Sequence, residues 1–183
     1  DAPELPPCDQ ARVPHLYDIP LRCCVSRDLP NLMFAGRNLS ATHIAFASTR
    51  VMATCAAVGQ GVGTAAAYAV HNGIAPSDLA ANPAYMREIQ QQLVREDAFL
   101  IGVANEDPLD LARSARIAAS SAQPEGPATH VISGQTRAVH GPGGAKAERA
   151  NPGTQRWMSD PQADLPAALE LSWERPIRPA QRW

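Results

Sequence analysis

The residues that can do chemistry in this chain are few. It holds four cysteines, Cys8, Cys23, Cys24 and Cys55, and five histidines, His15, His43, His71, His130 and His140. Cys23 and Cys24 are adjacent and cannot easily bridge each other, and no CxxC or Cys/His ligand spacing occurs, so no metal site is expected. The cysteines read as small buried thiols. Gly59, Gly61 and Gly63 resemble a dinucleotide fingerprint, but the third glycine comes one residue too early and the run lies inside a helical pattern rather than after a strand. Close helix packing is the expected use of these glycines. Lys146 is followed by Ala147 where a P-loop requires Ser or Thr, so that match is accidental. His15, His71, His130 and His140 have no context that favours chemistry.

The elements that must position these groups can be read from periodicity and caps. Asn31 to Gly36 is a short apolar run ending on glycine and reads as a buried strand. A loop from Arg37 to about Ser48 follows. From roughly Ala53 to His71 an Ala/Gly/Val-rich run reads as a helix, stopped by Asn72-Gly73. Its interior glycines weaken it by about 1 kcal/mol each relative to alanine. Asn82-Pro83 then opens a second helix, with Asn as cap and Pro at the first position. Tyr85, Met86, Ile89 and Leu93 form its apolar stripe.

Composition changes near Leu111. All three Phe and all three Tyr precede it, and all three Trp follow it among Ser, Pro and Gly. Asn105, Glu106, Asp107 and Pro108 read as a polar linker, which divides the chain into residues 1–104, a linker at 105–111 and residues 112–183. The later part shows strand-like runs at Ala115–Ser120, Thr129–Ser133 and Ala168–Trp173, separated by turns such as Gly141 to Gly144.

Whole-chain properties exclude several classes. Sixteen basic residues against 18 acidic ones leave a net charge of −2 without a basic run, which gives no support for nucleic acid or an anionic membrane as partner. The Ala-rich stretches are interrupted by Gly, Thr and Gln, and none reads as membrane-spanning. The chain starts at Asp1 and no signal-peptide pattern follows, which reads as a processed product or one piece of a longer polypeptide.

The stretch NLMFAGRNLSATHIAFASTRVMATCAAVGQGVGTAAA, from Asn31 to Ala67, carries a resemblance. An apolar strand ending in Ala-Gly, a Ser-Ala-Thr-His loop, Arg-Val-Met and a GQxxGTAAA helix are similar, in this order, to the C-terminal flavin-contacting segment of the FAD-dependent oxidoreductases. Ile19 to Arg22 also fits, so the resemblance runs from about Tyr17 to Leu100. Ala53 stands where relatives often carry proline, a residue merely favoured at a helix start.

This resemblance implies an α/β fold, the C-terminal part of an FAD/NAD(P)-binding Rossmann-like domain, with FAD as cofactor. A helix N-terminus offers unpaired N–H groups and a positive partial charge to the flavin edge that becomes electron-rich on reduction. Met52, Ala53, Thr54, Cys55 and Ala56 are the expected contacts there. Gly36, Arg37 and Asn38 are expected to pass the ribityl or pyrophosphate portion, with Arg37 pairing to phosphate. By the same resemblance His43 faces the flavin ring, where histidine can take a hydroxyl proton while hydride goes to the flavin. Positioning the loop backbone is its other reading. Arg50 is expected either to orient an anionic substrate or stabilise reduced flavin, or to form a structural ion pair. Cys55 near the flavin suggests covalent attachment or redox activity less than simple packing. The GxGxxG unit and the substrate-binding insertion of the family do not occur in this sequence, so another chain or a missing segment is the expected partner, and the chain by itself is expected to be inactive.

From Ala112 onward the chain resembles the first half of a discoidin-like, galactose-binding-like sandwich. The matching pieces are Ala115 to Ser121, His130 to Gly134, Arg156 to Ser159 and Leu169 to Trp173. Ser133 stands where relatives often have Asp, which puts an inherited ion or sugar contact in doubt. The whole therefore reads as a component of an FAD-dependent oxidoreductase that oxidises an alcohol or related carbon centre, with a periplasmic or secreted location slightly favoured. The other reading is a non-catalytic carbohydrate-binding or scaffold subunit.

Overall fold

The computed structural model describes Glu4 and residues 17–135 and 155–178. Cys8, His15, His140, the Gly141 to Gly144 turn and Lys146 lie outside the described residues. Four helices carry the first part of the chain: α1 over His43–Thr49, α2 over Met52–Asn72, α3 over Pro76–Ala81 and α4 over Pro83–Arg95. The second part holds a two-stranded antiparallel sheet, β1 over Arg116–Ala119 paired with β2 over Leu169–Ser172.

The two long helices form where caps and periodicity place them. Gly73 closes α2 at φ 65°, and its N–H bonds the carbonyls of Ala69 and Val70. Asn82 caps α4 by accepting from the Ala84 N–H at 2.9 Å, with Pro83 at the first position. The apolar stripe of α4 then meets α2 and α3. Ala65, Ala69, Leu79, Ile89 and Leu93 make the main core, with Tyr68, Tyr85 and Met86 packed against it. Leu79 and Ile89 are the largest side chains fully buried there. A second cluster of Cys24, Leu39 and Val62 seats the segment before α1 against α2. Burial pushes the Cys24 thiol up, and its neighbour Cys23 adds to the effect.

The run from Asn31 to Gly36 does not form a strand. Met33 makes one isolated bridge to Val25, flanked by Ser26 N–H to Leu32 O at 3.0 Å and Phe34 N–H to Cys24 O at 2.7 Å. An extended segment becomes a strand only when a neighbour continues the ladder, and among the described residues none does. The parallel sheet of a Rossmann-like domain is likewise not present among the described residues. What the structure supports is a mixed, helix-rich unit with one small sheet, compatible with part of an FAD-binding domain.

The expected loop from Arg37 to Ser48 contains α1. Thr42 caps it by accepting from the Ala45 N–H at 3.3 Å, so the Ser-Ala-Thr-His stretch is a helix start.

Residues 105–111 are tied into α4 and into the segment beyond. Gln91 donates to Ala104 O and accepts from the Glu106 N–H, while Arg87 and Arg95 pair with Glu106 and Asp107. Asn105 N–H donates to Gly134 O at 2.7 Å.

In the second part, β1 and β2 fall inside the expected runs, with Ile117 opposite Leu171. The run from Thr129 to Ser133 does not become a strand. It forms a 3-10 turn over Ala128–Ile132, held by His130 N–H to Pro127 O and by Ser133 Oγ to His130 O at 2.8 Å. Local bonds from a Pro start and a Ser end outweigh the β preference of Val131 and Ile132 when no strand lies alongside. Among the described residues this part holds one pair of strands, and the expected sandwich is not formed there. Trp157 Nε1 donates to Ser121 O at 2.9 Å and Trp173 Nε1 to Leu111 O at 2.8 Å. Gly126 is required for space, because a Cβ there would stand 2.7 Å from the Cβ of Met158.

Candidate functional site

The start of α2 is open, with Met52 exposed. The first intrahelical bond runs from Cys55 N–H to Val51 O at 2.9 Å, which leaves the N–H groups of Met52, Ala53 and Thr54 without helical acceptors. Val51 has no side chain able to cap them, and no acidic residue lies in the first turn. A 21-residue helix thus presents an uncompensated positive end. Of the five residues expected there, Met52, Ala53 and Thr54 have N–H groups free of a helical acceptor, since Cys55 already bonds within the helix and Ala56 follows it.

Three segments converge on this end. Gly36 turns the chain at φ 94°, and a Cβ built on it would lie 3.9 Å from the Cβ of Cys55, an ordinary contact distance. The turn at Gly36, Arg37 and Asn38 is anchored by buried Leu39 and by Ser40 N–H to Cys23 O at 2.7 Å. Cys55 Sγ donates to Thr49 O at 3.6 Å, joining the last residue of α1 to the first turn of α2. Tyr17 Oη donates to Ser48 Oγ, which holds the start of the described segment against α1.

The candidate side chains are arranged around this junction. Arg37 is exposed, with its guanidinium carbon 5.7 Å from the Phe46 ring centre. That geometry leaves its donors available. His43 occupies the first position of α1 and is exposed, without a side-chain hydrogen bond among the described residues. Arg50 follows α1, exposed, and forms no ion pair among the described residues, so the structural pairing considered for it is not made there. Cys55 is half-buried, with its thiol engaged by a carbonyl, an arrangement that suits packing. Apolar side chains border the polar groups: Ile44, Val51 and Met52 are 86%, 52% and 89% exposed. Thr49 was not marked by any sequence motif. It is the one buried polar residue of the described core, and its Oγ1 has no hydrogen-bond partner among the described residues.

Two hollows lie elsewhere, along the flanks of α2. One, about 1010 Å³, runs between α2 and α4 and is lined by Tyr68, His71, Arg87, Glu88, Gln91 and Arg95 among others. Tyr68 Oη donates to Glu88 Oε2 at 2.6 Å, and that bond, with smaller contributions from burial and the negative charge, pushes the phenol up to about 12. The other, about 800 Å³, is apolar and passes over Leu32, Met33, Gly59, Val62, Gly63 and Val70. A Cβ on Gly59, Gly61 or Gly63 would meet nothing within 4 Å. The close helix packing expected of these glycines is therefore not made among the described elements.

No group of three or more His, Cys, Asp or Glu among the described residues is placed to hold a metal. No described helix is long and apolar enough to cross a membrane.

These features bring an open helix start, a positive-φ glycine turn and a basic side chain to one junction. Residues 6–93, a little under half of the chain, match the model of the FAD dependent oxidoreductase family. The match supports a flavin-dependent oxidoreductase component, and the family implies FAD as cofactor. No curated protein and no solved structure matches the chain.

The junction fits such a cofactor. The donors at Met52 to Thr54 and the exposed Arg37, which forms no ion pair among the described residues, suit an electron-rich heterocycle and its phosphates. Bordering Ile44, Val51 and Met52 supply apolar area for an aromatic ring system.

Proposed function

We propose that this chain is a component of an FAD-dependent oxidoreductase and supplies the turn, short helix and long helix that hold the flavin. In this reading the Met52, Ala53 and Thr54 N–H groups donate to the pyrimidine edge, and Gly36 with Arg37 addresses the ribityl or pyrophosphate portion. The observation that carries the proposal is the exposed and uncapped first turn of α2 beside the Gly36 turn, inside the matched segment.

The mechanism follows from which groups are free. FAD, held by the Gly36 turn, Arg37 and the first turn of α2, would supply the hydride acceptor for the substrate carbon. His43 takes the proton from the substrate hydroxyl, since its imidazole is exposed and has no competing partner among the described residues. Arg50 orients an anionic substrate group or stabilises the reduced flavin, for which its guanidinium, without an ion pair among the described residues, is available. The exposed apolar residues exclude water from the reacting face once covered. An alcohol or related carbon centre is the substrate class this arrangement suits.

The adenine half of FAD needs a GxGxxG turn and an acidic ribose contact. We assign these to a partner chain or further segment. The open apolar flank of α2 at Gly59 and Gly63 supports that reading, because such a surface favours close approach by another element. The β1–β2 pair, with its half-buried Leu169, Leu171 and Trp173, is read in the same way as the start of a discoidin-like sandwich completed by further strands.

The test is reconstitution. Flavin absorbance that appears on assembly with the partner segment, and bleaches with an alcohol substrate, is the expected result. An assembly that folds and remains colourless in saturating FAD would remove the proposal.

A further inference from the structure

Residues 31–35 are paired along one edge only. Val25 and Met33 face each other across an antiparallel bridge, flanked by Ser26 N–H to Leu32 O and Phe34 N–H to Cys24 O. In that arrangement the facing residues exchange no bonds with each other, so the N–H and C=O of Met33 turn to the opposite edge. Neither has a hydrogen-bond partner among the described residues. The Met33 side chain packs against both core clusters, which holds this edge in place. Beside the edge lies the apolar hollow of about 800 Å³, lined by Met33 and Ala35 together with Gly59, Gly63 and Val70 of α2. None of its lining residues is charged, and Val70 among them is 84% exposed. An edge that stays in water is commonly guarded by charged side chains, and here an apolar surface adjoins it instead. A small apolar molecule would use the hollow and leave the edge unpaired. An extended strand uses both, with its backbone on Met33 and alternate side chains over α2.

We propose that this edge receives an extended strand of the partner segment, bonded to the Met33 N–H and C=O, with large apolar side chains on one face of that strand filling the hollow. The inference rests on the reading above that a partner segment completes the site, and it names how that segment attaches. A Cβ on Gly59 or Gly63 would meet nothing within 4 Å, so bulky side chains have room there.

The test follows hydrogen exchange at the Met33 amide in the full 183-residue chain, alone and assembled with the segment that carries the GxGxxG turn, without FAD. Expected is fast exchange in the chain alone and roughly 100-fold slower exchange on assembly. Gly59→Leu fills the hollow and raises helix propensity, so the chain alone should keep its helical signal. Its assembly should weaken by roughly tenfold or more. Gly61→Leu lies outside the lining of the hollow, and its assembly should stay within about threefold of wild type. A Met33 amide already protected in the chain alone overturns the inference, because the chain then covers its own edge. Failure of the two to assemble overturns it too, as does wild-type assembly of Gly59→Leu. Unchanged exchange in an assembly that binds flavin overturns it and leaves the flavin reading standing. A protected Met33 amide in an assembly that stays colourless in saturating FAD supports the strand and removes the flavin reading alone.

Discussion

Gly36 and Gly61 are both glycines of the matched segment, and the structure gives them opposite roles. At Gly36 the backbone has φ 94°, whereas a new Cβ would find only Cys55 at 3.9 Å. Sterics with neighbours are therefore not the issue, and Gly36→Ala acts through the backbone. Holding an L-residue at positive φ costs about 1–2 kcal/mol. At Gly61, inside α2, a Cβ meets nothing within 4 Å, and alanine gains about 1 kcal/mol of helix propensity. With a urea slope of roughly 2 kcal/mol/M, Gly36→Ala should lower the unfolding midpoint by about 0.5–1 M, and Gly61→Ala should raise it by about 0.5 M. Urea titrations of the two variants and wild type, followed by helical circular dichroism, read both shifts. A wild-type midpoint in Gly36→Ala would show that the turn does not hold its positive φ. A lowered midpoint in Gly61→Ala would show that something does pack on that face of α2.

Other expectations follow from single contacts. Leu79 is 0% exposed in the main core, so Leu79→Ala should destabilise by about 2–5 kcal/mol in chemical denaturation, while Leu109→Ala, at 77% exposure, should stay within about 0.5 kcal/mol. Asn82→Ala removes the α4 cap bond to Ala84 and should cost about 1 kcal/mol, with loss of helical signal as the readout. The Tyr68 phenol, pushed up to about 12 by its bond to Glu88, keeps its proton in the folded chain after the unfolded chain has lost its own. Its contribution to stability is present below about pH 10 and is lost as pH rises towards about 12. Ultraviolet titration should show one late tyrosine that Glu88→Gln brings earlier. In the reconstituted assembly, His43→Ala should reduce turnover by roughly 100-fold and leave flavin content nearly unchanged. Wild-type turnover in that variant would take His43 out of the site.

The sequence alone determined the elements whose signals are local. α2 runs over Met52–Asn72 and α4 over Pro83–Arg95, each within a residue or two of the limits read from Asn72-Gly73 and Asn82-Pro83. Caps and a 3.6-residue stripe act within a few residues, so no distant partner is needed to reveal them. β1 and β2 were legible as alternating runs, and their antiparallel pairing was not. The ordered motifs from Asn31 to Ala67 marked a stretch that lies within the family match. Tertiary structure decided the rest. It withheld a strand from Asn31 to Gly36, where only Val25 bridges to it among the described residues, and turned Thr129 to Ser133 into a 3-10 segment. It left the glycine face of α2 open and buried the Thr49 hydroxyl without a partner among the described residues. Strand formation, close packing and hydrogen-bond satisfaction each depend on a second element, and the identity of that element is not written in the run of residues that awaits it.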